Sequence, residues 1–314
     1  MDLSLKTDAN QCRVRIVSPY AHTHLMRVKP AEQNLSLLSL MSQRFPFRRE
    51  SVWRERIEEG LVKLNDQVVS PEVTIRQGDK VTHHNPRVTE PSVPDHVQVL
   101  EDQPDYLLVF KPAPMPVHAG GRYFRNTLLE MLKQKGFDNL KVVHRLDSVT
   151  SGLMIFGKSP GFSAELQRAF REGDIQKSYL AVVEGEPEQD YFESKLGVRR
   201  EAGLRFTTDD GPGLKQAHTK FEVIRRMNAR ALIRCNPVTG RTHQIRLHLA
   251  DSGFPIADDM LYGKDYVPGV MQNRPIALLS TSLESATLNI QAELPLPEEL
   301  MDHYLNSEVQ TQPA

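Results

Sequence analysis

The chain reads as two α+β domains, the larger built on a central mixed, largely antiparallel sheet flanked by helices. Three observations carry that expectation. After residue 97, strand-like and helix-period runs alternate irregularly, with several strand pairs of hairpin type, unlike the regular rhythm of a doubly wound sheet. The stretch NPRVTEPSVPDH at 85–96 carries Pro86, Pro91 and Pro94 and reads as an extended linker. The 314 residues, 39% hydrophobic and 25% charged, are enough for two ordinary cores.

Composition also excludes. No apolar run approaches the roughly 20 residues of a membrane helix. The polar start MDLSLKTDANQ has no signal-peptide core, and two cysteines, Cys12 and Cys235, are too few for a disulfide framework or a zinc cluster. The expectation is a cytoplasmic, reduced protein without a membrane partner.

An N-terminal extension, 1–33, precedes a first domain at 34–84. Asn34 is a candidate cap for a helix carrying Leu37, Leu38 and Met41 on one face. Ser51 is a candidate cap for a second helix, in which Trp53 and Ile57 lie one turn apart and Gly60 supplies the stop. LVKLNDQVV reads as two short strands around an Asn65-Asp66 turn, and a turn at Gly78-Asp79 leads into the strand KVTHH. Five arginines between Arg44 and Arg56 alternate with Phe45, Phe47 and Trp53. Such interleaving suits phosphate contact with base stacking, Arg48, Arg49 and Arg54 being the candidate contacts, whereas the aromatics are expected to be mostly core.

The second domain runs over 97–305. YLLVF, SGLMIFGKS and KSYLAVVEG read as strands; NTLLEMLKQKG and SAELQRAFREG read as helices ended by Gly136 and Gly173. Residues 306–314 read as a flexible tail. Charge is unevenly spread: Lys195–Arg246 holds 12 basic and 4 acidic residues, whereas Leu247 to the end holds 2 and 10. A basic zone inside a net charge of −1 fits either a phosphate-tracking surface or a salt-bridged one.

Two stretches carry candidate chemistry. HRLDSVTSGL, His144–Leu153, puts one carboxylate, Asp147, beside Arg145 and ahead of small residues that suit an exposed turn. A carboxylate there can be nucleophile, base or ligand, while a lone Asp beside Arg is usually a surface ion pair. Its faint likeness to a kinase catalytic loop fails on spacing and on the lack of a GxGxxG loop or DFG triplet. NPVTGRTHQIRLHLADSG, Asn236–Gly253, reads as a Thr239-Gly240 turn and a helix capped by Thr242, with Ile245 and Leu249 inward. His243 and His248, five apart, do not share a helical face, so no metal is expected, and Cys235 reads as a buried thiol.

The first domain's order of two helices, hairpin and GD turn resembles the small RNA-binding module of the S4 type. In the second, HRLD..TSGL, then K.Y.A.V.G at Lys177, Tyr179, Ala181, Val183 and Gly185, then K.A.T.F at Lys215–Phe221, then TGRTHQIR.HL follow in the order of the RluA-type RNA pseudouridine synthases, which the chain resembles. GFPIADDMLYG is similar to a further family element, with Ala257 where glycine is usual, and Leu279 stands where the family often has histidine.

The resemblance implies a pseudouridine synthase fold and isomerisation of uridines in structured rRNA or tRNA, with no cofactor or metal, by a monomer needing no protein partner. It implies Asp147 as the catalytic carboxylate, Arg246 as its ion-pair partner and Tyr179 as the residue packed on the uracil. Arg145 would fill the space left by a flipped nucleotide, and His144, Thr150, Arg241 and Thr242 would contact RNA. The rivals are a non-catalytic RNA-binding protein on the same fold, acting in ribosome assembly, and a glycosidase that releases uracil.

Overall fold

The computed structural model describes residues 14–46, 48–201, 205–264, 266–267 and 274–295. The chain order begins β1 (Val14–Arg15), β2 (Tyr20–Arg27), α1 (Leu37–Arg44), α2 (Glu50–Glu58), β3 (Val62–Leu64), β4 (Lys80–Val88), β5 (Val93–Pro94), β6 (Gln98–Asp102) and β7 (Tyr106–Lys111). Then come α3 (Leu128–Gln134), β8 (Lys141–Val142), β9 (Ser151–Gly157), α4 (Pro160–Glu172), β10 (Gln176–Glu184), β11 (Tyr191–Ser194), β12 (Arg199–Arg200) and β13 (Phe206–Thr207). β14 (Thr219–Met227), β15 (Arg230–Pro237), α5 (Gln244–Asp251), β16 (Leu278–Ser285) and β17 (Ile290–Glu293) follow. Two compact units result, one spanning Val17–Glu90 and the other formed by the rest of the chain.

In the smaller unit, Leu37, Leu40 and Met41 of α1 and Trp53 and Ile57 of α2 pack on Val62, Ile75 and Val81 beneath a sheet of order β2-β4-β3. Several boundaries differ from the sequence reading. Ser36, not Asn34, caps α1, its Oγ accepting from Ser39 N–H at 3.0 Å, while Asn34 lies outside the helix at φ 69°. α2 begins at Glu50 without a side-chain cap, which puts Ser51 inside its first turn. The Asn65-Asp66 turn forms, both residues at positive φ, yet it joins only the Leu64↔Gln67 bridge; β3 takes β4 as its partner.

The presumed extension contributes β2, which pairs with β4 from Tyr20↔Val88 to Arg27↔Lys80, so the unit starts at Val17 rather than 34. The presumed linker is largely strand. β4 runs to Val88, and Pro86 falls where the β2 register shifts between Tyr20 and His22, a bulge that needs no donor from proline. β5 pairs with β1 in the larger unit. Cys12, Phe47, residues 296–305 and the tail 306–314 lie outside the described residues.

The larger unit holds a ten-stranded sheet of order β11-β14-β15-β10-β16-β9-β7-β6, with β17 on β16 and β8 on β9. β9 against β16 is its parallel contact and the other pairings are antiparallel, so the sheet is mixed and largely antiparallel. Alternation along β7 and β9 sorts residues between two cores. Leu108, Leu153 and Ile155 join Leu166 of α4 and Ile245 and Leu249 of α5, whereas Leu107, Val109, Met154 and Phe156 join Leu128, Met131 and Leu132 of α3. Leu279 is core, paired with Leu180 and Ser151, and Ala257 is buried without a positive φ, so neither departure strains the fold.

The loop 144–150 is clamped at its exit. Gly152 adopts φ +121°, and a Cβ there would sit 2.3 Å from Ser280 O, so only glycine admits this approach of β9 to β16. The buried Lys111 donates to Met115 O at 2.8 Å, Pro112 O at 3.2 Å and Ser148 O at 3.3 Å, while Met115 N–H donates to Ser148 O at 2.7 Å. Burial pushes the Lys111 ammonium down to about 7, against the pull of Asp147. Gly152→Ala should therefore destabilise the protein by about 3 kcal/mol or more; a urea midpoint equal to wild type would show that the strands part without cost.

Candidate active site

A cavity of about 1170 Å³ in the larger unit is lined by all eight candidate residues of that domain: His144, Arg145, Asp147, Thr150, Tyr179, Arg241, Thr242 and Arg246. Three separate segments meet there: the loop before β9, the middle of β10 and the start of α5. Arg48, Arg49 and Arg54 belong to the other unit. Arg54 is ion-paired to Glu72, Arg48 lies 5.5 Å over the Trp53 ring, and Arg49 is exposed.

The Asp147 side chain is 21% exposed. Its Oδ2 accepts from Arg246 Nη1 at 3.3 Å, and His243 Nε2 stands 3.7 Å away. Burial pushes the carboxyl upward, but His243, Arg246 and Arg145 outweigh it and hold Asp147 below the usual carboxylate range. Arg246 is itself buried and doubly held by Asp259, Nε to Oδ2 at 2.7 Å and Nη2 to Oδ1 at 2.8 Å. Burial opposes its charge, but Asp259 and Asp147 outweigh that and raise its pKa. Asp259 Oδ1 also accepts from Leu261 and Tyr262 N–H, at 3.0 and 3.2 Å.

A hydrogen-bond chain fixes the tautomer of His243. Phe206 N–H donates to Tyr262 Oη at 3.0 Å, and Tyr262 Oη lies 2.7 Å from His243 Nδ1. An ionised Asp147 offers only acceptors, which favours the imidazole proton on Nε2 and makes the Tyr262 hydroxyl the donor to Nδ1. Burial first of all holds His243 below its ordinary pKa, so the ring is neutral at pH 7.

α5 starts differently from the sequence reading. Its N-cap is His243, in the left-handed region at φ 58°, while Thr242 accepts from Arg145 Nη2 at 3.1 Å across the cavity mouth. Gln244 organises the turn instead: its Oε1 accepts from Arg241 N–H at 3.0 Å and Thr239 Oγ1 at 2.6 Å, and its Nε2 donates to Thr219 Oγ1 at 2.9 Å.

Tyr179 is half-buried on β10, opposite Cys235 on β15 and Ser280 on β16. Burial pushes its phenol up to about 12, so it is neutral. His144 is committed to the fold: Nε2 accepts from Ile155 N–H at 3.0 Å, the ring stacks on Phe170 at 4.4 Å, and burial pushes it down to about 3. Thr150 is buried, its N–H closing the turn on Asp147 O at 3.1 Å. Arg241 is exposed and donates to Gln216 O at 3.0 Å.

Part of the basic window is spent on ion pairs. Arg226 pairs with Asp190 at 2.7 Å, Arg230 with Glu184 at 2.8 Å and Arg234 with Glu222 at 2.6 Å; Lys195 pairs with Glu193. Glu184, Asp190 and Glu193 precede the window in sequence and are brought to it by β-pairing, so the local +8 was not a free surface charge. Among the described residues no group of three or more His, Cys, Asp or Glu is placed to hold a metal, and none of their helices is long and apolar enough to cross a membrane. His248 is buried against Thr219 and Leu196 O.

Asp259, His243 and Tyr262 are the residues sequence reasoning missed. The segment GFPIADDMLYG holds Asp259 and Tyr262, but nothing in its periodicity says that Asp259 rather than Asp258 turns inward.

A profile described as RNA pseudouridylate synthase matches residues 105–251. The chain is 32% identical to RNA pseudouridine synthase 7 of Oryza sativa over 79% of its own length and 65% of that protein. It is likewise 32% identical to a mitochondrial tRNA pseudouridine(32) synthase of Saccharomyces cerevisiae, over 82% of the chain and 56% of that protein. An RNA pseudouridine synthase of Synechocystis is 33% identical over 74% of the chain and 81% of its own length. The chain thus spans less than two thirds of the rice and yeast relatives. In structure it is similar to human RNA Pseudouridylate Synthase Domain Containing 1, with a TM-score of 0.56 at 22% identity over 68% of this chain and 89% of that one, which shows the fold. The mixed, largely antiparallel sheet is thus the fold of the solved pseudouridylate synthase domains. The chain belongs to the RNA pseudouridine synthase family.

Asp259→Asn should cost about 3 kcal/mol, because it leaves the Arg246 charge half-compensated, and should slow single-turnover conversion by about tenfold or more through misorientation of Arg246. A variant with wild-type stability and rate would show that Asp259 does not position Arg246.

Proposed function

We propose that the protein is an RNA pseudouridine synthase that isomerises a uridine of folded rRNA or tRNA, with Asp147 as its catalytic carboxylate. The supporting observation is the state of Asp147: partly exposed to the cavity and, against its own burial, held below the usual carboxylate range beside His243 and Arg246. Isomerisation breaks the C1′–N1 bond, turns the uracil, forms C1′–C5, releases the proton on C5 and places one on N1. Attack by the carboxylate on ribose or on uracil requires it ionised in either case. Tyr179, neutral and rigid on β10, packs on the uracil. Arg145, tethered to Thr242 at the mouth, enters the stack in place of the flipped nucleotide.

We also propose that the protein acts as a monomer, the eight candidate residues of the larger unit lining a single cavity. The smaller unit we assign to RNA contact on its two-helix, three-strand order and on Arg48 and Arg49 beside one another at the start of α2. The buried Cys235 fits a reduced, cytoplasmic setting. The name of the yeast relative favours tRNA as the first RNA to test.

Mapping pseudouridines across total RNA from cells that lack the gene, complemented with wild type or Asp147→Asn, tests the activity. One or a few sites should depend on wild type and vanish in the variant. Unchanged maps would favour a binding protein, and abasic sites a glycosidase. Because Asp147 is held below the usual carboxylate range, His243 is held below its ordinary pKa and Tyr179 is pushed up to about 12, none of the three should make kcat/KM rise between about pH 7 and about pH 9. A rise across that interval in a pH–rate profile would show that some group must first lose its proton.

A further inference from the structure

Lys177 lies on β10 two residues before Tyr179, about 6.6 Å along the strand. Both side chains line the cavity, and the Lys177 ammonium lies beside the Thr239-Gly240 turn, 3.6 Å from where a Cβ on Gly240 would be. No carboxylate or hydrogen-bond acceptor among the described residues engages it. That contrasts with Arg226, Arg230, Arg234 and Lys195, each matched to its own carboxylate. Lys177 is half-buried, and loss of water lowers its pKa. A desolvated ammonium without a counter-charge costs stability. A site that retains one has a use for it when a ligand brings the charge.

The cavity exceeds the roughly 300–1,000 Å³ that buries one small ligand, so there is room beside a flipped base for its backbone. The anions that an RNA substrate brings are its phosphodiesters. We infer that Lys177 is a phosphate-binding residue that takes the phosphodiester adjoining the flipped uridine while Tyr179 takes the base. This rests on the function proposed above. It places one strand, β10, under both the sugar–phosphate and the base of one nucleotide, so that docking of the backbone sets the register of the uracil over Asp147.

Binding of a fluorescein-labelled hairpin carrying the mapped uridine, titrated between about 50 and 200 mM salt, tests it. Lys177→Met should weaken binding about tenfold and reduce the slope of log K against log salt by about 0.7–0.9, the share of one phosphate. Lys177→Arg should restore both, and the loss should appear in KM more than in kcat. Lys177→Met should also melt no lower than wild type, because an unmatched ammonium stabilises nothing in the free protein. A full salt slope with a collapsed kcat would place Lys177 on the base, and an unchanged slope and affinity would leave it a solvated cation. Either result overturns the assignment. Failure of the underlying function shows separately, as wild-type RNA without pseudouridine.

Discussion

The structure turns on Arg246, a single buried guanidinium shared between two carboxylates. Asp259 takes two of its N–H groups in a fork-to-fork pair, and Asp147 takes a third at longer range. The division is unequal for a reason. Asp259 is buried and further held by two backbone amides, so it is the fixed anchor that orients the guanidinium. Asp147 receives what remains, enough to stay ionised but not so much that its oxygens are saturated. A carboxylate given the bidentate pair would be more stable and less available to react.

Because Arg246 is half-used, Asp147 depends on its other neighbours. His243 turns Nε2 towards Asp147 and rests Nδ1 on Tyr262, whose oxygen accepts from Phe206 N–H, and burial holds the ring below its ordinary pKa. The loop bearing Asp147 is held by main-chain carbonyls, with Lys111 gathering Ser148, Met115 and Pro112 from below. The parallel approach of β9 and β16 at Gly152 sets the distance between the loop and the β10–β16 floor that carries Tyr179. Each constraint acts on a different atom of the same carboxylate environment, so the position of Asp147 is over-determined.

Much of this was legible in the sequence, because periodicity reports faces. The helices, the strands and the buried Trp53–Ile57 pair follow from spacing and from glycines at turns, whereas the three segments of the site rest on the order of motifs shared with the RluA-type family. What was not legible depends on partners remote in sequence. Asn34 and Ser36 are both good caps, and the choice falls to Ser36 because the bridge Ser36↔Thr74 and the bonds of Leu37 and Leu38 N–H to Val73 and Pro71 fix where α1 begins. Thr242 is a natural cap too, but His243 takes that place at positive φ, with Tyr262 on its Nδ1 and Asp147 3.7 Å from its Nε2. His144 looks like a ligand-facing residue until β9 places Ile155 N–H against it. Residues 20–27 and 85–88 read as an extension and a linker because β2 and β4 recognise each other across the whole smaller unit.

Charge follows the same logic. A count along the chain found an excess of basic residues between 195 and 246, yet β10, β11, β14 and β15 carry acidic and basic residues to matching registers and cancel part of it. Glu184 lies opposite Arg230, and Glu222 opposite Arg234, as direct cross-strand pairs. Within this sheet, the charges that matter to a polyanion are those that the register leaves unmatched and the cavity leaves reachable. By that criterion part of the basic window is architecture, whereas Lys177, which lies outside it, is a half-buried cation of the cavity wall that no carboxylate among the described residues engages.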